Sequence, residues 1–428
     1  MDTLEYDRRY LWHPYASLKD PPPVRLVDHA EGTQIYVRGR GRSPSAPLIP
    51  LTDGVASWWC MAHGYGHPHI VDAIRRQAEK LPHVMFGGFT HEPAVTLAER
   101  LATICPKGLN KVFFADSGSI AVEVAVKMCI QYQHAKGRFK RTKMLSLKGG
   151  YHGDTACAMA LSDPDGMHTL FAGMMPKHLF ASQPSATTND ELRITNWDFE
   201  QILREHQNEI CGVICEPIFQ AANAMNFYSG EYLRTMRKLC DEFDIPLVFD
   251  EIAAGFYRTG PRWAHEVSGI SPDIMTIGKA LTGGHITLAA TIASENVAEV
   301  ISNGTPSAFM HGPTYMANPI ACAAANASLD LFEHPYDINH IEGVLKNELP
   351  SATVHGAVAV IKVPRLPARA DIERVINSHH VWLRPFANFI YTMPPLIASD
   401  DDLRRIAAAM KDLASSPPGP EEVGDFHE

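Results

Sequence analysis

The feature of the sequence that most constrains the fold is a repeated order of short apolar runs, several of which lead into helical stretches. The apolar runs lie at residues 111–115, 143–147, 212–216, 247–252, 274–278 and 287–293, and apolar residues recur at helical spacing in 118–133 and 230–243. Continuous apolar strands that alternate with helices are typical of sheets covered on both faces. The order therefore predicts an α/β protein with a large, mostly parallel sheet.

The two ends of the chain differ from this central pattern. After residue 336, short strand-like runs and an amphipathic helix at 401–414 predict a smaller α+β domain, to which the N-terminal segment also contributes. We expect the small domain at residues 1–55 and 336–415 and the large domain at 56–335. Residues 416–428 lack apolar periodicity and predict a disordered tail. The Pro/Ser-rich stretch 38–50, which separates a predicted strand at 33–37 from residues 51–53, predicts an extended surface hairpin or loop.

Composition and charge narrow the class of protein. The chain has 428 residues, of which 45% are apolar and 20% charged, and a formal net charge of −10. The acidic excess argues against binding to nucleic acid or to anionic membranes, and there is no run of about 20 apolar residues to span a bilayer. The N-terminal sequence lacks the basic-then-apolar order of a secretion signal. These properties predict a cytoplasmic enzyme.

Cysteine and histidine spacing gives no sign of a metal. The eight cysteines form no CxxC pair, which favours reduced, buried thiols over a disulfide framework or a zinc site. Cys211 directly precedes the predicted strand 212–216 and Cys215 lies within it, four residues on, and we expect them to be core residues on one face of that strand. His63, His67 and His69 lie in HGYGHPH without an HxxxH helix or a carboxylate partner, so no metal site is expected there.

Ligands of α/β sheets bind beyond the carboxyl ends of the strands, so the turns that follow the apolar runs hold the candidate site. One turn is Asp116-Ser117-Gly118-Ser119, where free backbone N–H groups and hydroxyls at a helix start suit a phosphate. The alternative is that Ser117 or Ser119 only caps the helix.

Two further turns are weaker candidates. KGGYHGDT at 148–155 is predicted to expose the rings of Tyr151 and His152, and a flat aromatic ring can stack on a heteroaromatic cofactor. A surface loop with an incidental tyrosine explains this turn equally well. The Gly-Pro turn in FMHGPTYMANP at 309–319 leaves the hydroxyl and backbone of Thr314 free for a second phosphate contact.

Asp250 and Lys279 make the weak signals of the other turns more informative, because all of them fit one cofactor. Asp250 ends an apolar strand, so its carboxylate needs a cation or hydrogen-bond donor: a metal, an ion-pair partner or a protonated pyridine nitrogen. Ile252 shares its face and can pack on the same ligand. Lys279 ends the next strand between glycines, and an amine near apolar groups has a lowered pKa and forms a Schiff base. With a stacking ring and a phosphate turn, these residues match what pyridoxal phosphate demands.

Five longer motifs support this interpretation: WHPY at 12–15, SWWCMAHGYGHP at 57–68, DSGSIAVEVAVKM at 116–128, HGPTYMANPIACA at 311–323 and WLRPFANFIYTMPP at 382–395. Over about residues 10–400 the chain resembles the class III, or ω-, aminotransferases, which are fold-type I enzymes dependent on pyridoxal phosphate. The resemblance implies that fold, pyridoxal 5′-phosphate as the cofactor, and a homodimer with the active site at the subunit interface.

The resemblance also implies a role for each matching residue. Lys279 matches the Schiff-base lysine, Asp250 the partner of the pyridine nitrogen and Tyr151 the ring that stacks on the cofactor. The matching phosphate-binding residues are Ser117, Gly118 and Ser119, together with Gly312, Pro313 and Thr314 reaching over from the second subunit. The matching substrate-pocket residues are Tyr15, Trp58, Trp59 and Arg384, the last of which pairs with a substrate carboxylate.

More narrowly, the motifs are similar to those of the biotin-pathway branch of the family. This implies amino transfer to 8-amino-7-oxononanoate, giving 7,8-diaminononanoate, with S-adenosylmethionine as the expected donor and lysine as the alternative. The other interpretations are an ω-amino acid or diamine aminotransferase, an aminomutase-type isomerase, and a non-catalytic protein of the same fold. The presence of Lys279, Asp250 and Tyr151 together opposes the last of these.

Three features depart from the family pattern. Tyr257 stands where the family usually has glycine, and EPIFQAANAM at 216–225 has Ala221 and Ala224 in a run that is usually glycine-rich. The stretch 38–50 is longer than expected for the family. These departures bear on substrate contacts and leave the cofactor residues unchanged.

Overall fold

The computed structural model describes residues 3–39, 47–184, 197–334 and 336–419. The strands are β1 Val27–Glu31, β2 Gln34–Arg38, β3 Leu48–Asp53, β4 Leu109–Ala115, β5 Lys143–Leu147, β6 Leu179–Ala181, β7 Ile210–Cys215, β8 Phe219–Gln220, β9 Asn226–Phe227, β10 Leu247–Asp250, β11 Ile274–Ile277, β12 Ala289–Ser294, β13 Thr353–His355, β14 Val358–Lys362, β15 Val381–Trp382 and β16 Phe389–Thr392.

The helical segments lie between and around these strands. The α-helices are Thr3–Tyr10, Pro68–Lys80, Glu92–Ile104, Gly118–Ala135, Ala156–Leu161, Phe199–His206, Gly230–Phe243, Glu295–Ser302, Pro319–Phe332, Ile338–Glu348, Arg369–His379 and Asp400–Ser415. Shorter helical segments are Ala56–Trp59, Thr169–Met174, Ala264–Ser268 and Lys279–Thr282. No helix among the described residues combines the length and apolar character needed to cross a bilayer.

The main sheet has seven strands in the order β4-β12-β11-β10-β7-β5-β6. Strands β11, β10, β7, β5 and β6 pair in parallel, whereas β12 runs antiparallel to both β11 and β4. Every residue of β7, β10 and β11 is buried. Helix Gly118–Ala135 covers one face and helix Gly230–Phe243 the other, which explains the continuous apolar runs. The predicted α/β fold with a mostly parallel sheet is confirmed.

The expectation that Cys211 and Cys215 share a face of their strand is wrong. Cys211 packs in the cluster that contains helix Gly118–Ala135, and Cys215 packs in the cluster on the opposite face. The pairing of β5 with β7 shifts register at this point, because Lys143 faces Ile210 whereas Met144 faces Gly212. The extra residue is a bulge, and a bulge reverses the side-chain parity of everything that follows it.

Smaller sheets join the two ends of the chain. In the sheet β1-β2-β3-β15, β15 lies parallel to β3, so a strand near residue 381 pairs with one near residue 52. Strands β2 and β3 pair antiparallel as far as Arg38 and Leu48. The predicted loop at 38–50 thus begins and ends as a hairpin, and its centre at 40–46 lies outside the described residues. Most of the predicted disordered tail, from residue 420 onward, also lies outside them.

The C-terminal segment contains more helix than its sequence indicates. The predicted amphipathic helix is present at Asp400–Ser415, where Ser399 and Asp402 form a reciprocal capping box. Helices Ile338–Glu348 and Arg369–His379 are additional. Together they pack against the sheet β13-β14-β16, and their apolar faces extend the core beneath β11 and β12.

Candidate active site

Three neighbouring central strands bring three charged residues to one edge of the main sheet. Asp250 is the last residue of β10, Glu216 follows β7, and Lys279 begins the turn after β11. Burial lowers the pKa of the Lys279 amine, and the nearby carboxylates of Asp250 and Glu216 oppose this only in part. The amine is therefore more readily deprotonated than that of an exposed lysine, as a nucleophile or proton acceptor requires.

The carboxylate of Asp250 is held by three donors. His152 Nδ1 lies 2.7 Å from Oδ2, while the Thr276 hydroxyl and the Ile252 backbone N–H each donate to Oδ1 over 3.1 Å. Burial lowers the pKa of His152, but the hydrogen bond and charge of Asp250 outweigh it, so the net shift is upward. The carboxylate of Asp250 thus favours the protonated form of His152 in the interior.

The prediction that the His152 ring is exposed is wrong, since the ring is buried beneath the turn and supports Asp250. Gly153 allows the chain to turn inward there. Its φ is +127°, and a Cβ atom at this position would lie 2.1 Å from Ser119 Oγ. The buried carboxylate at the strand end was the signal that a partner of this kind had to exist.

Lys279 has an unusual backbone conformation and an uncommitted amine. Its φ is +43°, in the left-handed region. The Nζ atom lies 5.0 Å from the ring centroid of Trp59. Among the described residues, Nζ forms no hydrogen bond or ion pair, so the amine is available to a ligand.

Trp58 and Trp59 belong to a left-handed turn at residues 56–59, in which φ lies between 45° and 75°. Such a turn costs about 1–2 kcal/mol per residue. The buried Asp53 stabilises it by accepting from the backbone N–H groups of Val55 (2.9 Å) and Ser57 (2.8 Å). The sequence pattern did not lead us to predict Asp53 as a site residue. Like Asp250, however, it is a carboxylate that ends an apolar strand.

A second group of side chains surrounds Tyr151. The Tyr15 hydroxyl donates to Asp154 over 3.0 Å, and His168 Nε2 lies 3.1 Å from the other oxygen of that carboxylate. Burial, together with the negative charge of Asp154, raises the pKa of Tyr151, so its hydroxyl stays protonated. The Asp154 backbone N–H donates to Ser119 Oγ over 3.3 Å, which ties this loop to the helix start. Asp154 is a second site residue that the sequence pattern did not predict.

The predicted phosphate turn lies at the start of helix Gly118–Ala135. Ser117 is extended (φ −154°), and its hydroxyl makes no capping hydrogen bond to helix Gly118–Ala135. The hydroxyl of Ser119 accepts from Asp154, so the helix-capping alternative does not describe either serine. A Cβ at Gly118 would lie 3.0 Å from Ile252 Cδ1, and one at Gly278 would lie 3.5 Å from Ile252 Cγ2. Ile252 therefore lies between the helix start and the lysine turn.

The other predicted residues lie apart from this cluster or at its rim. Thr314 is exposed, and no side-chain hydrogen bond in the described chain joins Gly312, Pro313 or Thr314 to the residues around Lys279. Their assignment to the active site of a second subunit stays a prediction.

The guanidinium of Arg384 lies 4.9 Å from the Trp58 ring centroid. No described residue forms a salt bridge or hydrogen bond with it, so its fork is free for an anion.

The departures from the family pattern keep the glycine-type backbone. Tyr257 and Ala224 have φ of +69° and +48°. The Tyr257 hydroxyl accepts from Arg262 Nε over 3.0 Å, and its ring packs against Phe332. The backbone N–H of Ala221 donates to Glu216 over 3.1 Å. The Tyr257 side chain therefore adds contacts to Arg262 and Phe332, whereas the Ala221 contact uses only the backbone.

The described residues contain no group of three or more His, Cys, Asp or Glu side chains placed to hold a metal ion. They do suit pyridoxal phosphate. Lys279 offers an amine for its aldehyde and Asp250 a charged acceptor for its ring nitrogen. The open N-terminus of helix Gly118–Ala135 suits its phosphate, and Tyr151 offers an aromatic face.

The comparisons agree with this chemistry. The family described as aminotransferase class-III matches residues 49–413. The chain is 42% identical over 415 residues to the adenosylmethionine-8-amino-7-oxononanoate aminotransferase of Buchnera aphidicola subsp. Schizaphis graminum, covering 94% of each chain.

Two solved structures extend the comparison. An adenosylmethionine-8-amino-7-oxononanoate aminotransferase from Methanocaldococcus jannaschii has a TM-score of 0.85 at 29% identity, covering 96% of this chain and 98% of that one. An amine transaminase from an uncultivated Pseudomonas species, in its PLP-bound form, has a TM-score of 0.84 at 26% identity, covering 95% and 98%. The chain therefore belongs to the class III aminotransferases, a family of pyridoxal-phosphate enzymes.

Proposed function

We propose that this enzyme transfers an amino group to 8-amino-7-oxononanoate, giving 7,8-diaminononanoate for biotin synthesis, with S-adenosylmethionine as the donor. The observation that carries the amino-transfer chemistry is the partly buried Lys279 amine, with its pKa lowered by burial, beside the Asp250–His152 pair. The names of relatives that match almost the whole chain support the choice of substrates.

The residues of the chain divide the work. Pyridoxal phosphate, when bound, supplies an aldehyde for the amino group and a ring that accepts electrons from the adjacent carbon. Asp250, hydrogen-bonded to His152, would pair with the ring nitrogen and favour its protonated form. Lys279 Nζ would take the proton from the donor Cα and deliver it to the cofactor carbon that receives the amino group, and in the reverse half-reaction it would carry a proton back to the substrate carbon. The protonated Tyr151 closes one side of the site and excludes water.

Substrate recognition is assigned to the rim. Trp58 and Tyr15 are exposed aromatic side chains that accommodate an aliphatic chain or an adenosyl group. The unengaged fork of Arg384, positioned over Trp58, is suited to a substrate carboxylate.

We further propose that residues 1–55 and 336–415 form one small domain, which the pairing of β15 with β3 supports. We also propose that the enzyme is a cytoplasmic homodimer in which Gly312, Pro313 and Thr314 complete the partner's site.

A spectroscopic half-reaction tests this function. S-adenosylmethionine, lysine and simple ω-amines are each added alone to the yellow holoenzyme, and the loss of the yellow absorbance is followed. Rapid loss with S-adenosylmethionine, reversed by 8-amino-7-oxononanoate, is the expected result. Loss of the yellow absorbance with lysine alone would show that lysine, and not S-adenosylmethionine, is the amino donor. Failure of the keto acid to restore the colour would remove the enzyme from biotin synthesis.

Replacing Arg384 with alanine is expected to raise KM for 8-amino-7-oxononanoate about 10- to 100-fold with a smaller change in kcat, because a charge-assisted pair contributes about 1.5–3 kcal/mol. The methyl ester of the keto acid should show almost no difference between wild type and variant. Arg25→Ala is the matched control, since Arg25 also lies over a tryptophan (Trp382, 5.3 Å) but pairs with Glu373. An equal penalty on acid and ester would contradict carboxylate recognition.

A further inference from the structure

A buried hydrogen-bond chain that the proposed function leaves unused ends at the turn carrying Lys279. His63 is buried, with Nδ1 2.8 Å from the Tyr336 hydroxyl and Nε2 2.9 Å from Ser328 Oγ. The Ser328 hydroxyl in turn donates to the backbone carbonyl of Ala280 over 3.3 Å. Ala280 is the residue after Lys279, so the chain connects the start of the C-terminal segment with the turn after β11.

Only one assignment of donors and acceptors fits this chain of hydrogen bonds. Burial, reinforced by the charges of nearby histidines and Arg258, lowers the pKa of His63 to about 3, so the ring is neutral and carries one proton. Ser328 has a single hydroxyl hydrogen and gives it to Ala280, so His63 Nε2–H must donate to Ser328. His63 Nδ1 then accepts from Tyr336. Every polar atom in the chain has a partner, and one tautomer of His63 fits.

The turn that receives this chain needs support. Lys279 has a φ of +43°, a conformation that costs a non-glycine residue about 1–2 kcal/mol. The turn ends at Gly283, where a Cβ atom would lie 2.9 Å from His63 Cδ2. The His63 ring therefore packs directly against the end of the turn while its hydrogen-bond chain holds the beginning. Phe332 packs on the ring, with 4.2 Å between centroids.

We propose that His63, Ser328 and Tyr336 are positioning residues, which hold the strained turn at 279–282 so that the Lys279 amine stays enclosed and aligned. The inference rests on the proposed role of Lys279 and goes beyond it, because these three residues act through the backbone of Ala280. Loss of the chain lets the turn relax and admits water around Nζ. The burial that lowers the pKa of the amine then weakens, so that pKa rises towards its ordinary value.

The test is Ser328→Ala in the holoenzyme, measured by the pH titration of its yellow absorbance and by steady-state kinetics. The titration reports the lysine–cofactor nitrogen, whose protonated form is disfavoured by the same enclosure, so we expect its midpoint to move upward by roughly half a pH unit or more. We expect kcat to fall about 10-fold or more with KM nearly unchanged. Tyr336→Phe should produce a smaller shift of the same sign, because His63 can then exchange tautomers. It also covers the case in which the serine variant fails to fold.

Ser268→Ala is the matched control. Ser268 is also buried and donates to a backbone carbonyl, that of His265 at 2.6 Å, but it precedes the amino end of β11. Thermal unfolding of the apoenzymes compares the structural cost of each change. A Ser328 variant that loses stability but keeps the wild-type midpoint and kcat would overturn the positioning role. If Lys279→Ala itself left the absorbance unchanged, the proposed role of Lys279 would fail, and this inference with it.

Discussion

Replacement of Lys279 with alanine is expected to lower kcat/KM for amino transfer by at least about 10³-fold, because the variant loses both the covalent anchor of the cofactor and the proton acceptor. The yellow absorbance that depends on the lysine–cofactor bond should also disappear. The cofactor should still bind, because the helix start at Gly118 and the Asp250–His152 pair remain. Kinetics and absorbance spectra of the purified variant measure these effects.

Lys111→Ala is the control for this prediction. Lys111 lies in β4 of the same sheet, but its side chain is half exposed and pairs with Glu295 at 3.2 Å. Exposed pairs contribute little to stability, about 0–1 kcal/mol, so this variant should keep wild-type activity. Substantial turnover by the Lys279 variant, against a background free of contaminating aminotransferase, would refute its catalytic role.

Replacement of Asp250 with asparagine is expected to lower kcat/KM by about 10²- to 10³-fold, the usual loss when one preorganised electrostatic group is removed. The amide has nearly the same shape and can still accept from Thr276 and Ile252 through one oxygen. It carries no charge to keep the ring nitrogen protonated. The loss should therefore appear mainly in kcat, with the cofactor still bound.

The same substitution should change how stability depends on pH. In the wild type the hydrogen bond and charge of Asp250 raise the pKa of His152 despite burial. A raised pKa in the folded state contributes stability that is fully present below the unfolded value of about 6.5 and is lost as pH rises through the folded value. In the variant, burial is opposed only by the charge of Glu216, so we expect the pKa of His152 to fall. The difference in free energy of unfolding should therefore be largest in acid and narrow towards alkaline pH.

Denaturant unfolding of the two apoenzymes at several pH values measures this difference. Asp273→Asn is the matched control, because Asp273 lies just before β11 at the opposite edge of the sheet and pairs with Arg237 at 2.8 Å. It should cost stability without affecting kcat. A gap between wild type and the Asp250 variant that stayed constant or widened with rising pH would contradict the charged His152–Asp250 pair.

The local pattern of apolar residues predicted much of the fold. The strand at Lys143–Leu147 and the helix at Gly230–Phe243 have the predicted bounds, because each is a strongly periodic or continuously apolar segment. The pattern failed where the register depended on a neighbour. The bulge at Cys211 arises from the pairing of β7 with β5, and Gly212, which follows it, is only a weak local sign of a bulge.

The sequence by itself determined the α/β class and the residues at the strand ends, including Asp250 and Lys279. Such residues are recognisable because an apolar strand that ends in a charge must meet a partner or a ligand there. Only the tertiary structure decided what surrounds them. His152 supports Asp250 from 98 residues away, and His63 reaches Tyr336 across 273 residues. These contacts are set by how helices and sheets pack in space, which the local order of residues does not specify.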